Sequence, residues 1–351
     1  FVKNPFQYEG RNTGNSFQYF PIEFILGRVG ALLHLRIDTL AIVAEFLFPA
    51  LLTLLLYAFA YSLSRSRLTA GAVATAMLLG TELVHPNGFS NLLHTFLLRG
   101  GWREFLQYSR PVNPQVSALF FFTSLWALLR LLRTPRSKSA VLLAGATVGL
   151  LAYIYPYFWL FSGTTLGVVG LYALLVRRWE LFVAVVVAGG VALGVMAPFL
   201  YLNLPLLLHG GGSSLTQAIP VHRLIIEKVI LLPLFLYLSI FGFARWGGGR
   251  LRSWSQRFTK KYLFVGLLLI TGVIVLNQQV VTGKLFYPQH FHFFTNIPLF
   301  VLSMVFLGME IVALFPRLWC VLLAGVIVII CGWFALGVQV SSYQAHAAES
   351  R

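Results

Sequence analysis

Acid is what this sequence has least of. Ten Asp and Glu face 26 Lys and Arg across 351 residues, and charged residues of both signs make up only 10%. A soluble globular domain carries about 25%. So few charges cannot cover a water-facing exterior, whereas 58% of the chain is hydrophobic. The expected fold is all-α, a polytopic bundle whose exterior faces lipid. The formal charge of +16 would point to nucleic acid in a water-soluble chain. No basic groove, zinc-finger spacing or RNA-binding motif accompanies it, so nucleic acid is not an expected partner. The basic residues fall in short gaps between apolar runs, where they act as topology signals. Cysteine is also scarce: Cys320 and Cys331 lie in one apolar run and read as small buried hydrophobes. Neither an internal repeat nor a low-complexity segment is present.

Apolar runs are what the sequence does have. A membrane-crossing helix needs about 20 apolar residues, and ten stretches qualify: 38–63, 68–85, 116–133, 139–155, 158–176, 180–203, 224–244, 262–279, 296–316 and 318–340. The fourth and fifth are divided at Pro156, because the residue before a proline is pushed away from helix. Alternate gaps carry the basic charge: Arg65 and Arg67; Arg130, Arg133, Arg136 and Lys138; Arg177 and Arg178; six between Arg245 and Lys261; and Arg317. Glu180 and Glu310 alone oppose them. The positive-inside rule makes these gaps cytoplasmic, and leaves 1–37, 86–115, 204–223, 280–295 and the C-terminal tail outside.

Three regions follow. Residues 1–37 form the end of an outer loop, 38–340 the bundle of about ten helices, and 341–351 a polar outer tail. The chain starts at Phe1 on polar residues and stops without a closing feature, which suggests a piece of a longer protein. Within the first region, Glu23, Gly27, Gly30 and His34 recur at helical spacing opposite Ile22, Ile25, Leu26, Val29, Leu32 and Leu33. Such an amphipathic segment over 20–37, beside a span, is expected to lie in the outer interface, or else to pack on protein.

Ionisable groups in or beside spans are functional candidates. Glu82 and His85 sit one helical turn apart at the outer end of the second span. A carboxylate beside an imidazole relays protons or binds a cation; the alternative is that both are solvated at headgroup level. Glu45 lies two turns into the first span and needs a partner or water. Glu227 and Lys228 pair with Arg223 or with headgroups. The outer loop 86–115 carries Arg99, Arg103, Arg110 and Asn113, and arginines on that face suit a phosphate or salt bridges within the loop. Asn277, Gln278 and Gln279 end a span, where each amide is costly unless hydrogen-bonded. Gly283 and Pro288 then break the helix, so this backbone lines a cavity or lies in the interface. His290 and His292 alternate with aromatics and would share a face of an extended strand. They suit a polar substrate pocket, aromatic anchoring or a divalent metal, though a third ligand at metal spacing is missing. Tyr153, Tyr155, Tyr157 and Trp159 form either an interfacial belt or a stacking surface for a sugar ring.

The stretches NPFQYEGRN, RPVNPQ, GLLAYIYPYFW and NQQVVTGKLFYPQHFHFF together resemble bacterial polytopic proteins related to the GT-C superfamily of glycosyltransferases. The resemblance implies transfer of a sugar from a polyprenyl-phosphate carrier to an acceptor on the non-cytoplasmic side. It also implies membrane lipid and that donor as partners, and a bacterial plasma-membrane location. In that superfamily the main catalytic carboxylate sits in the first outer loop, which here would lie upstream of Phe1. Glu9 and Glu23 are the acids left in 1–37, and Glu82 is the nearest match to a second acid. The implied roles are Glu82, His85 and Glu9 in catalysis. Arg99, Arg110, Asn113, Tyr153, Tyr155, Tyr157, Gln278, Gln279, His290 and His292 would bind substrate. One outward cavity is expected to gather Glu82, His85, Arg110 and 278–292. A transporter or flippase is the competing class.

Overall fold

The computed structural model describes residues 21–84, 106–109, 114–209, 216–217, 222–283 and 285–349. Helix dominates them. In chain order the main helices are α1 (Pro21–Leu32), α2 (Ile37–Ser64), α3 (Arg67–Leu79), α4 (Gln115–Arg133), α5 (Lys138–Ile154), α6 (Pro156–Leu175) and α7 (Trp179–His209). They continue with α8 (Lys228–Trp246), α9 (Gly249–Leu276), the single turns α10 (Gln279–Thr282) and α11 (Pro288–Phe291), α12 (Ile297–Val312) and α13 (Arg317–Glu349). Among the described residues, strand is confined to Thr216–Gln217 and Leu285–Phe286, which pair antiparallel. Eight described helices are long and apolar enough to cross a membrane, and the helices Arg67–Leu79 and Lys138–Ile154 are apolar but shorter. The chain is therefore a multi-pass α-helical membrane protein.

Each expected apolar run has a helical counterpart, and the breaks have local causes. Tyr155 is extended (φ −157°), α5 ends before it, and Pro156 takes the first turn of α6. There its missing N–H costs no hydrogen bond. The basic connections are tight. Ser66 caps α3 by accepting the Thr69 N–H at 3.3 Å, two residues after α2 ends. Arg65 and Arg177 close α2 and α6 in left-handed backbone, at φ 58° and 57°. Behind Arg177, the Arg178 N–H reaches back to the Ala173 carbonyl at 2.8 Å. A non-glycine residue there costs about 1–2 kcal/mol, offset by carbonyls that the turn satisfies.

Three expectations shift. The basic stretch 245–261 is not a loop: from Gly249 onward it is helix. Trp254, Phe258 and Tyr262 recur every fourth residue along α9, their rings 5.5 and 4.8 Å apart, and Phe258 and Tyr262 are buried. That stripe gives the segment a packing face and lets the helix run past the apolar span. The expected tail is helical too, through Glu349. Finally, α1 stops at Leu32, and His34 leaves the helical stripe in left-handed backbone (φ 52°).

The chain divides into two compact units. The first holds the described residues of Phe1–Leu40, Phe120–Lys228 and Leu267–Thr295; the second holds Ala41–Leu119, Val229–Gly266 and Asn296–Arg351. In the first, α5 and α7 pack most closely. A Cβ on Gly145 would lie 2.4 Å from the Ala188 carbonyl, and one on Gly149 2.7 Å from the Ala192 carbonyl. The four-residue spacing puts both glycines on one face, which lets the backbones meet. Phe121 of α4 stacks on Phe158 of α6 at 4.3 Å. In the second unit α3 packs on α12 and α13 through Ala72, Met309 and Ala324. Gly80 ends α3 where a Cβ would meet Cys331 Sγ at 2.7 Å. Near the basic end of that unit, Glu310 accepts from Lys261 Nζ and from the Tyr262 hydroxyl, each at 2.8 Å.

Candidate functional site

The first unit gathers a polar cluster where its spans end. Asn277 follows α9 and does two jobs. Its Nδ2 donates to the Val273 carbonyl at 3.0 Å, satisfying a helix-end acceptor, and to the Ile225 carbonyl at 3.2 Å. Its Oδ1 accepts the Ile225 N–H at 2.7 Å. An amide side chain presenting both a donor and an acceptor thus binds the backbone of residues 222–227 as a neighbouring strand would. Gln279 continues the pattern two residues along: its Nε2 donates to the Arg223 carbonyl at 3.1 Å. His222 Nδ1 lies 3.1 Å from the Val280 carbonyl; a carbonyl only accepts, so Nδ1 carries the proton there. Gln278 turns back and accepts from the Thr282 hydroxyl at 2.7 Å. Gly283, at φ 67°, closes the α10 turn with its N–H on the Gln279 carbonyl. The costly amides are thus answered chiefly by backbone, and they fix the approach to α8.

Pro288 restarts the helix, which continues as α11 and a wide turn over His292–Asn296. The histidines therefore lie on helix and not on the extended strand considered from sequence. Two residues of helix rotate a side chain by roughly 200°, so His290 and His292 face apart. His290 Nδ1 is hydrogen-bonded to the Tyr155 hydroxyl. The His290 ring stacks on Tyr157 at 4.3 Å with 7° between planes, and Phe294 stands 5.7 Å away. His292 Nδ1 pairs with the Glu227 carboxylate, at the end of the segment that Asn277 and Gln279 hold. Both members are largely buried, with side-chain exposures of 23% and 14%. Tyr155 and Tyr157 are buried. The Tyr157 hydroxyl and Gln279 Oε1 are buried without a hydrogen-bond partner.

Tyr153 serves differently from its neighbours. Its hydroxyl donates to the Val195 carbonyl at 3.0 Å and accepts the Phe199 N–H at 3.3 Å. It inserts into the backbone ladder of α7 beside Pro198, where a proline disturbs the helical bonds. Trp159 packs with Ala152, Met196 and Phe199.

Glu82 belongs to the second unit, and Gln278–His292 to the first. Helix α3 gives way after Gly80 to a tight turn, Thr81–Val84, that holds Glu82 buried at 7% exposure. Tyr108, on the turn Gln107–Ser109, is fully enclosed. Burial, and then the charge of Glu82, push its phenol well above the usual tyrosine range. A carboxylate and a neutral phenol therefore lie close together. Glu45 is exposed on α2. Glu9, His85, Arg99, Arg110 and Asn113 lie outside the described residues, and so does the part of the expected cavity built on them.

No protein-family model, curated protein or solved structure matches the chain. Among the described residues, no group of three or more His, Cys, Asp or Glu is placed to hold a metal ion. What the first unit offers is a carboxylate–imidazole pair and, on the other side of the same turn, an imidazole held by tyrosines. The carboxylate–imidazole pair suits proton transfer. The pairing of Glu227 with His292 was not assigned from sequence, where Arg223 or headgroups stood as its partners. An acid directly before an apolar span was the available signal; the partner, 65 residues away, was not.

Proposed function

We propose that this protein is a membrane glycosyltransferase of GT-C type, taking a sugar from a polyprenyl-phosphate carrier at the non-cytoplasmic face. The observation that carries the reading is the pair of oppositely facing imidazoles, Glu227–His292 and Tyr155–His290, on one broken-helix turn at the end of the spans. In that reading His292, oriented by Glu227, takes the proton from the acceptor hydroxyl as the sugar transfers. On the opposite face of the turn, the Tyr155 hydroxyl and the Tyr157 ring hold His290 and so fix the turn that carries His292. In the second unit, Glu82 beside the phenol of Tyr108 is a separate carboxylate candidate. The donor's polyprenyl phosphate leaves as an anion.

Ten crossings fit the same reading. Tight connections at 65–66, 134–137, 176–178, 247–248 and 313–316, each holding or flanked by basic residues, alternate with the polar or longer ones at 80–114, 155, 210–227 and 277–296. With the turn that follows it, α3 covers roughly 28 Å, and α5 roughly 25 Å, at about 1.5 Å per helical residue and about 2 Å per residue in a tighter turn. Both come near the ~30 Å hydrocarbon core. Helix α1 leaves Ile25, Val29 and Leu32 exposed, as a helix seated in the outer interface would.

The test is transfer of labelled sugar from a panel of polyprenyl-phosphate donors by the full-length protein in proteoliposomes. Glu227→Gln and His292→Gln are each expected to lower turnover by about 10²–10⁴, the usual worth of a positioned acid–base group, while donor binding persists. Undiminished transfer in both removes them from the mechanism. Passage of a polar solute or lipid-linked sugar across the bilayer, with no glycosidic bond made, would favour the transporter class instead.

A further inference from the structure

A groove of about 620 Å³ opens on the first unit, at the basic ends of α5 and α7. Its walls are Val141 and Leu142 from α5 and Val183, Ala184 and Val187 from α7, all on apolar helix faces. It lies within two turns of Gly145, where the two helices touch. Its mouth is different in kind: Arg136, Lys138, Trp179 and Glu180 form the rim. We propose that this groove is a binding site for one anionic phospholipid of the leaflet facing the basic connections, with its phosphate at Arg136 and Lys138 and an acyl chain along the valine and leucine walls.

Three features select that occupant. A groove opening from a membrane-spanning helix pair is filled by what surrounds it, which is hydrocarbon chain. The connections at its mouth carry Arg130, Arg133, Arg136, Lys138, Arg177 and Arg178 against Glu180 alone, so an uncharged headgroup leaves that field unanswered. Arg136 is held by Glu180 through two hydrogen bonds, which raise the guanidinium's pKa further. The pair is largely exposed, however, at 82% and 59%. An exposed ion pair holds weakly, and a bidentate phosphate can replace the carboxylate. Lys138 and Trp179 are exposed at the same rim; a tryptophan there suits the headgroup level. The groove lies at the end of the unit opposite the Tyr155–His290 cluster along α5, so the proposal does not depend on the sugar-transfer reading.

Native mass spectrometry of the full chain in detergent tests it, with phosphatidylglycerol and phosphatidylcholine of identical acyl chains as probes. At about fivefold per juxtamembrane cation, phosphatidylglycerol should be retained at least tenfold better, and the Arg136→Ala/Lys138→Ala double variant should lose that preference. Arg257→Ala/Lys260→Ala, which removes as much charge from the second unit, should keep it. Val187→Trp, which fills the groove, should lower retention of both lipids, with each variant's lipid-free thermal stability measured alongside to show that it folds. Equal retention of the two lipids, or an unchanged preference in the double variant, overturns the proposal. So does full competition by the water-soluble glycerophosphoglycerol headgroup, because the acyl chain would then contribute nothing.

Discussion

Replacing Gly145 by alanine adds one methyl group, and the structure sets both the sign and the size of the effect. The new carbon would lie 2.4 Å from the Ala188 carbonyl oxygen and 2.6 Å from Val191 Cβ. Favourable contacts begin near about 3.5 Å, so α5 and α7 must separate by roughly 1 Å. Backbone blocks the way, and no side-chain rotamer relieves it. Overpacking of this kind costs about 1–3 kcal/mol, and it outweighs the ~1 kcal/mol that alanine gains over glycine in helix propensity. Gly189, on α7 itself, has open space within 4 Å of its would-be Cβ, so Gly189→Ala keeps the propensity gain without the clash. The two variants should therefore move in opposite directions. Thermal unfolding of the purified chain in detergent should show Gly145→Ala melting a few degrees lower than the parent and Gly189→Ala equal or higher. Gly145→Val should fall further, and Gly149→Ala should resemble Gly145→Ala because its Cβ meets Ala192 and Val195 in the same way. If Gly145→Ala melts as high as Gly189→Ala, the close approach of α5 and α7 is wrong.

Further outcomes are expected elsewhere in the chain. Tyr153→Phe removes a hydroxyl that both gives to and takes from the α7 backbone; a loss of about 1 kcal/mol should appear in the same melting assay, and no change would show that the bond contributes nothing. Glu310→Gln unpairs Lys261 and weakens the Tyr262 bond; Lys261 is 40% exposed, so the loss should stay near about 1 kcal/mol, and recovery on adding Lys261→Met would identify the pair as its source. Topology is open to labelling in a background lacking Cys320 and Cys331. Cysteine at Thr282 should react with an impermeant maleimide added outside intact cells, and cysteine at Ser253 only after the membrane is opened; labelling of both from outside would sink the orientation.

The sequence by itself determined the class of the protein. Too few charges to face water, long apolar runs and basic gaps leave no soluble alternative, because the hydrocarbon core demands helices whose backbone groups are satisfied internally. The break at Tyr155–Pro156 was legible for a local reason, a proline restricting the residue before it. The spacing of Gly145 and Gly149 is equally visible in the sequence, but only the fold says that α7 lies against it. What happens between spans was decided by tertiary structure. The stretch from Gly249 to Lys261 is charged enough to read as a loop, yet an aromatic stripe turns it into helix once there is a surface to pack on. Asn277 and Gln279 stood out as costly amides; that they hold the backbone of residues 222–227 depends on two segments more than 50 residues apart meeting. His290 and His292 would share a face on a strand and oppose each other on a helix. Backbone conformation alone therefore turned one supposed pair into two sites, one closed by Tyr155 and the other by Glu227.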